Sequence, residues 1–118
     1  MSEEGEAVVP EDLEKLGELH DMASHAVELL KAMANEWRLM ILCQLADGEK
    51  TVSELQSILG LSQSALSQHL AVLRRERVVS ARKHAQSVSY SLAGEAAPKV
   101  MHTLHEVFCE AQGGNDET

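Results

Sequence analysis

No apolar run in this sequence approaches the length that crosses a bilayer; the stretch MILCQLA is far too short. The N-terminus is acidic and lacks a continuous apolar segment, so no secretory signal is expected. The expected location is the cytoplasm, with no membrane partner. Cysteine is scarce: there are two, and in a reducing compartment they are not expected to form a permanent staple. There is no Cys-x-x-Cys, no nucleophile paired with a base and no phosphate-binding loop, so neither an enzyme nor a cofactor is expected. Internal repeats are missing, and low complexity is confined to the acidic ends. Cations are few as well. Ten Lys and Arg stand against nineteen Asp and Glu, a net charge of −9, which looks wrong for a nucleic-acid partner.

The distribution of charge reverses that impression. Residues 1–19 hold seven carboxylates against Lys15, a net of −6, whereas residues 61–92 hold Arg74, Arg75, Arg77, Arg82 and Lys83 against Glu76, a net of +4. An acidic arm therefore masks a basic patch. That patch borders the stretch around which the chain is organised, residues 51–75. Thr51 and Glu54 form a capping-box signature. Val52, Leu55, Ile58 and Leu59 follow at helical spacing, and Gly60 supplies a left-handed stop. Ser62 caps a second helix whose apolar positions are Leu66, Leu70 and Leu73. Its other face carries Gln63, Ser64, Ser67, Gln68 and His69 rather than the Lys and Glu of a solvated surface. Amides and hydroxyls both donate and accept hydrogen bonds, as base edges require. Arg74, Arg75 and Arg77 follow, placed for phosphates. This is the pattern of a helix-turn-helix with its recognition helix second.

The flanking segments complete a single domain, since 118 residues suffice for one modest core and not for two. Residues 1–10 read as a flexible acidic tail, 11–112 as the folded domain and 113–118 as a flexible C-terminal tail. From Pro10 to Met33 a stripe including Leu16, Leu19, Met22, Ala26, Leu29 and Met33 predicts a long helix with little core of its own to cover, suited to a partner subunit. Asn35 caps a second helix over 36–45; it is apolar nearly all round and so expected at the buried centre, carrying Cys43. Val79, Ala81 and Lys83 alternate with Ser80, Arg82 and His84, and Val88, Tyr90 and Leu92 alternate with serines. That predicts a two-stranded hairpin with a basic tip, where Arg82 and Lys83, like Arg74, are expected to contact DNA; directly after a recognition helix, it is a wing. The last helix is expected from Glu95 to Gln112, with Val100, Leu104, Val107, Phe108 and Ala111 as its stripe. The fold class is mainly α, a winged helix-turn-helix.

Taken together, LLKAMANEWRLMILCQL, TVSEL, LSQSALSQHLAVLRR and the basic hairpin resemble the ArsR family of dimeric winged-helix repressors over residues 25–110. The resemblance implies five helices with a two-stranded β-hairpin wing, a homodimer and a palindromic DNA operator. Within the family the cysteine pattern resembles the SqrR, BigR and HlyU group, which senses persulfides and related oxidants through one cysteine in the second helix and one in the last. Cys43 and Cys109 occupy those places. The residues alone leave another reading open: free cysteines are often buried and inert. Cys43 fits that, whereas Cys109, beside Phe108 and off the stripe, is expected to be partly accessible. What the resemblance implies is a switch in which reactive sulfur species crosslink the two thiols and release the operator. Its alternatives are a metal-sensing repressor and an anti-repressor that displaces another DNA-bound protein. The metal-sensing relatives carry a Cys-x-Cys pair near the third helix or an Asp-x-His pair early in the last, and neither is present here. His102, His105 and Cys109 share one helical face with zinc-compatible side chains, but three ligands on one short helix do not converge without another element. No metal is therefore expected.

Overall fold

The structure, a computed structural model, describes residues 10–110. The two tails, together with Ala111 and the expected helix end near Gln112, lie outside the described residues. Helix α1 (Pro10–Met33) opens on a proline, which costs nothing where no amide donor is used, and its first turn carries Glu11 and Asp12 against the helix dipole. Only its C-terminal end meets the core: Ala32 and Met33 are buried, Leu29 is half-buried, and every residue from 11 to 28 is exposed. The radius of gyration, 19.1 Å, reflects this, since a compact chain of 100 residues has about 13 Å.

Helix α2 (Glu36–Ala46) starts where Asn35 Oδ1 accepts the Arg38 amide at 3.1 Å. Arg38 also reaches back across the break. Its Nε donates to the Ala32 carbonyl at 2.6 Å, and its Nη2 donates at 3.4 Å to that of Lys31, which also accepts the Ala34 amide. Ile41, Leu42 and Leu45 are buried as the apolar run requires. The other face of α2 is not: Trp37, Met40 and Cys43 are exposed. The expectation of an all-round buried helix holds for one face only, because none of the described residues covers the second.

The central unit forms as its local signals dictate. Strand β1 (Lys50–Thr51) leads into α3 (Val52–Leu59) through a complete capping box, with Thr51 N donating to Glu54 Oε1 at 2.8 Å and Glu54 N to Thr51 Oγ1 at 3.1 Å. Gly60 takes φ 72°, a left-handed value that a side chain would resist. Ser62 Oγ accepts the Ala65 amide at 3.1 Å and opens α4 (Gln63–Arg75). Leu55 on α3 and Leu66, Leu70 and Leu73 on α4 are buried, each adding about 1.5–3 kcal/mol of apolar burial. Ile58 departs from its stripe and is exposed. Helix α4 ends in a Schellman turn, with the Val78 amide bonded to the Leu73 carbonyl and that of Arg77 to the Arg74 carbonyl. Arg77 rather than glycine holds the left-handed position, at φ 62°.

Strands β2 (Val79–His84) and β3 (Ser87–Leu92) pair antiparallel from Val79↔Leu92 to His84↔Ser87, leaving Ala85 and Gln86 as a two-residue turn. Ala85 supplies the positive φ, 53°, usually given to glycine there. The expected two-stranded wing acquires a third strand, because β1 adds to the far side of β3 with Lys50↔Tyr90 and Thr51↔Ser89. The last element begins as α5 (Ala96–Leu104) and continues as a π-helical segment, His105–Glu110. Its buried residues are Ala97 and Met101; Val107 and Phe108 of the expected stripe are exposed, at 54% and 58%. Five helices and a wing make up the described chain, and none of these helices is long and apolar enough to cross a membrane.

Candidate functional site

Two surfaces carry the chemistry. The first is the outer face of α4. Ser62, Gln63, Ser64, Ser67 and Gln68 are all exposed, and the last four have no side-chain partner among the described residues. With Leu66, Leu70 and Leu73 anchoring the opposite face, the unpaired amides and hydroxyls stand outward on a rigid rod. His69 does not share their exposure. It lies between Leu66 and Leu70 at the margin of the buried face, half-buried; burial, followed by the charge of Arg38, lowers its pKa. His69 thus differs from its neighbours on this face in exposure, and it lies within reach of the charge of Arg38 on α2.

The cations divide into two kinds. Arg74 and Lys83 are exposed and without an ion pair among the described residues, while Arg75 approaches Glu76 at 3.7 Å. Arg74 and Arg75 rim a hollow of about 370 Å³ between α4 and the wing, with Tyr90 on its other wall. Arg82 has an internal partner instead, Glu49, on the loop between α2 and β1. Sequence reasoning missed Glu49, since 33 positions separate it from Arg82 and no local pattern links them.

The second surface is a cleft of about 580 Å³ between α2 and α5, floored by Leu39, Met101, Leu104 and Phe108. Cys43 lines it from α2 and Cys109 from the π-helical segment, and both are free thiols and exposed. The expected burial of Cys43 is corrected by its place on the open face of α2, and Cys109 is accessible. Partial burial, then the charge of Cys109, then that of Asp47 push the Cys43 thiol up from its ordinary pKa. A charge on one sulfur is thus felt at the other, although 66 positions separate them in the chain.

The π-helical segment explains how Cys109 comes to face this cleft. An α-helix turns about 100° per residue, so Cys109 would sit about 80° round from the buried Met101. A π-helix has roughly 4.4 residues per turn, and four such steps from His105 remove about 70° of that rotation. Cys109 is returned nearly to the bearing of Met101, toward α2. The sequence carried no signal for this change of pitch. His102 Nε2 pairs with Glu106 Oε2 at 3.2 Å, and among the described residues no group of three or more His, Cys, Asp or Glu is placed to hold a metal.

Comparison with known proteins places this geometry among transcriptional regulators. The family described as bacterial regulatory protein, arsR family, matches residues 35–81. The transcriptional activator HlyU of Vibrio cholerae serotype O1 is 53% identical over 96 residues, which span 81% of this chain and 89% of HlyU. The solved structure of reduced HlyU from Vibrio cholerae N16961 superposes with a TM-score of 0.76, covering 78% of this chain and 97% of that one at 53% identity. The transcriptional repressor BigR from Xylella fastidiosa is similar at 33% identity and a TM-score of 0.71, over 80% and 94% of the two chains. A homodimeric winged helix-turn-helix domain from Mycobacterium bovis, a possible ArsR-family regulator, reaches a TM-score of 0.70 at 28% identity, over 79% and 86%.

Proposed function

The chain belongs to the ArsR family of DNA-binding transcriptional regulators, and on that footing we propose that it is a homodimeric repressor released from a palindromic operator when reactive sulfur species link Cys43 to Cys109. The observation that carries the reading is that both thiols of the chain open onto one cleft joining α2 to the last helix. A covalent bridge there ties the body that carries α3 and α4 to the terminal helix.

The chemistry needs no metal. A low-molecular-weight persulfide transfers its outer sulfur to a cysteine thiolate and leaves as a thiol, giving a protein persulfide. The second thiolate attacks the inner sulfur of that persulfide and expels hydrosulfide, leaving a disulfide. If both cysteines are first persulfidated, the same displacement leaves a trisulfide and one hydrosulfide. A plain disulfide requires Cα atoms within about 7 Å, and a third sulfur extends that reach.

The DNA contacts follow from α4 and the wing. Ser62, Gln63, Ser64, Ser67 and Gln68 meet base edges, and Arg74 and Lys83 meet phosphates. The second subunit covers α1, where Leu16, Leu19, Met22 and Leu30 are each more than half exposed, together with Val107 and Phe108. Two recognition helices about one DNA turn apart then match a two-fold operator.

The test is intact mass and operator binding after treatment with glutathione persulfide. The expected product is intramolecular, with the two thiol hydrogens lost and, in the trisulfide, one sulfur added, and it binds DNA at least tenfold more weakly, about 1.4 kcal/mol of coupling. Cys43→Ser and Cys109→Ser keep operator binding and lose the response. Release of DNA from the double cysteine variant, or release of the unmodified protein by stoichiometric zinc, overturns the reading.

A further inference from the structure

Arg82 is the wing cation with a fixed internal partner. Its Nη2 donates to Glu49 Oε1 at 2.8 Å and its Nε to Glu49 Oε2 at 3.2 Å, a two-point fork. The register of the sheet brings the two together. Arg82 and Thr51 both sit opposite Ser89, one on each side of β3, and Glu49, two residues before Thr51, lies on the same face. Ser89, between them, is short and only 7% exposed. Arg82 is two residues from His84, where the strand ends, roughly 7 Å along the chain. Its charge therefore lies within about 8–10 Å of the tip, the range over which charges act at physiological salt.

The fork is the geometry in which a guanidinium takes a phosphate. To contact DNA, Arg82 must exchange one charge-assisted fork for another of the same kind. It would also leave the Glu49 carboxylate bare beside a polyanion. The exchange gains little and the stranded charge costs binding. We propose that Glu49 is a built-in substitute for a phosphate: Arg82 stays on it when the wing meets DNA, and the pair acts as one neutral unit. Glu49 is then the positioning residue that sets the strength and salt dependence of DNA binding. This rests on DNA binding alone and is independent of the thiol switch.

The test uses the full chain and a labelled duplex of arbitrary sequence, with anisotropy titrations between about 50 and 400 mM salt. Glu49→Gln frees one cation per subunit; binding tightens by about fivefold to tenfold near 0.1 M salt, and the plot of log K against log salt steepens by about 0.9 for each wing that meets DNA. Arg82→Gln leaves Glu49 uncompensated and weakens binding by a similar factor. The double variant Glu49→Gln/Arg82→Gln returns to within about twofold of the parent in affinity, with the parent's slope, because removing a neutral pair removes no net charge. Glu49→Asp keeps the charge and the parent's slope. The pair Glu49→Ala/Arg82→Ala repeats the double-variant measurement with different side chains, should the glutamines disturb the wing. If both double variants bind as weakly as Arg82→Gln, Arg82 contacts a phosphate in the complex and the proposal fails. It fails equally if Glu49→Gln weakens binding without steepening the slope, for then the pair only braces the wing.

Discussion

Linking Cys43 to Cys109 closes a loop of 66 positions, and the stability of the linked protein measures how well the fold presents the two sulfurs to one another. Loop-closure entropy for that length corresponds to about 4 kcal/mol of stabilisation at 25 °C, provided the link fits the native geometry. Strain subtracts from it. If the link stores the 1.4 kcal/mol or so that a tenfold loss of DNA affinity represents, about 2.5 kcal/mol of net stabilisation remains. For a chain of this size unfolding in urea at about 2 kcal/mol/M, that moves the midpoint up by more than about 1 M. The sole tryptophan, Trp37 on α2, is 40% exposed and reports the transition by fluorescence. Dithiol and crosslinked forms are compared at one protein concentration, because dimerisation makes the midpoint concentration-dependent. Persulfide-treated Cys43→Ser serves as the control for modification without a bridge. A midpoint that stays put or falls on crosslinking would refute the reasoning: the cleft would not present the thiols to each other, and the bridge would form only by distorting α2 or the last helix. An equal shift in the control would assign the effect to modification instead.

On the α4 face, Gln68→Ala is expected to cost about 1–3 kcal/mol on the operator and little on arbitrary DNA, measured by competition titration; equal losses on both would make Gln68 a phosphate contact. At the α1 surface, a dimer at micromolar concentration is expected, and Leu19→Glu should raise its dissociation constant about a hundredfold or more, since each interface loses two apolar side chains at about 1.5–3 kcal/mol apiece. Sedimentation of the unaltered protein as a folded monomer would sink this. Leu29 is a poor probe, because it is half-buried on its own core. The raised pKa of Cys43 means less thiolate at neutral pH, so its alkylation by iodoacetamide should reach half-maximal rate above the ordinary cysteine range. Cys109→Ser removes the second cause of the shift and leaves burial, the largest, so the midpoint should fall part of the way. Mass-resolved kinetics check both, and an unchanged midpoint would place the two sulfurs out of each other's reach.

What was legible in the sequence is what is decided within a turn or two of the chain. The capping box of Thr51 and Glu54, the left-handed Gly60, the Ser62 cap and the Leu66–Leu70–Leu73 row each involve groups at most four positions apart, and all stand as expected. The alternation likewise predicts the two strands of the wing, but with no Asn-Gly or Asp-Gly at the turn it leaves their register open. Tertiary structure alone decided which faces are covered, because burial depends on where other elements lie. The apolar run of α2 could not reveal that Trp37, Met40 and Cys43 face outward, nor could the polar run of α4 show that His69 is half-buried and feels the charge of Arg38. The third strand of the sheet, the Glu49–Arg82 fork and the shared cleft of Cys43 and Cys109 join residues 33 to 66 positions apart, where no local preference acts. The pitch of the last helix belongs with them. Whether His105–Glu110 winds as α or π determines the bearing of Cys109, and no periodicity in the chain signals that choice.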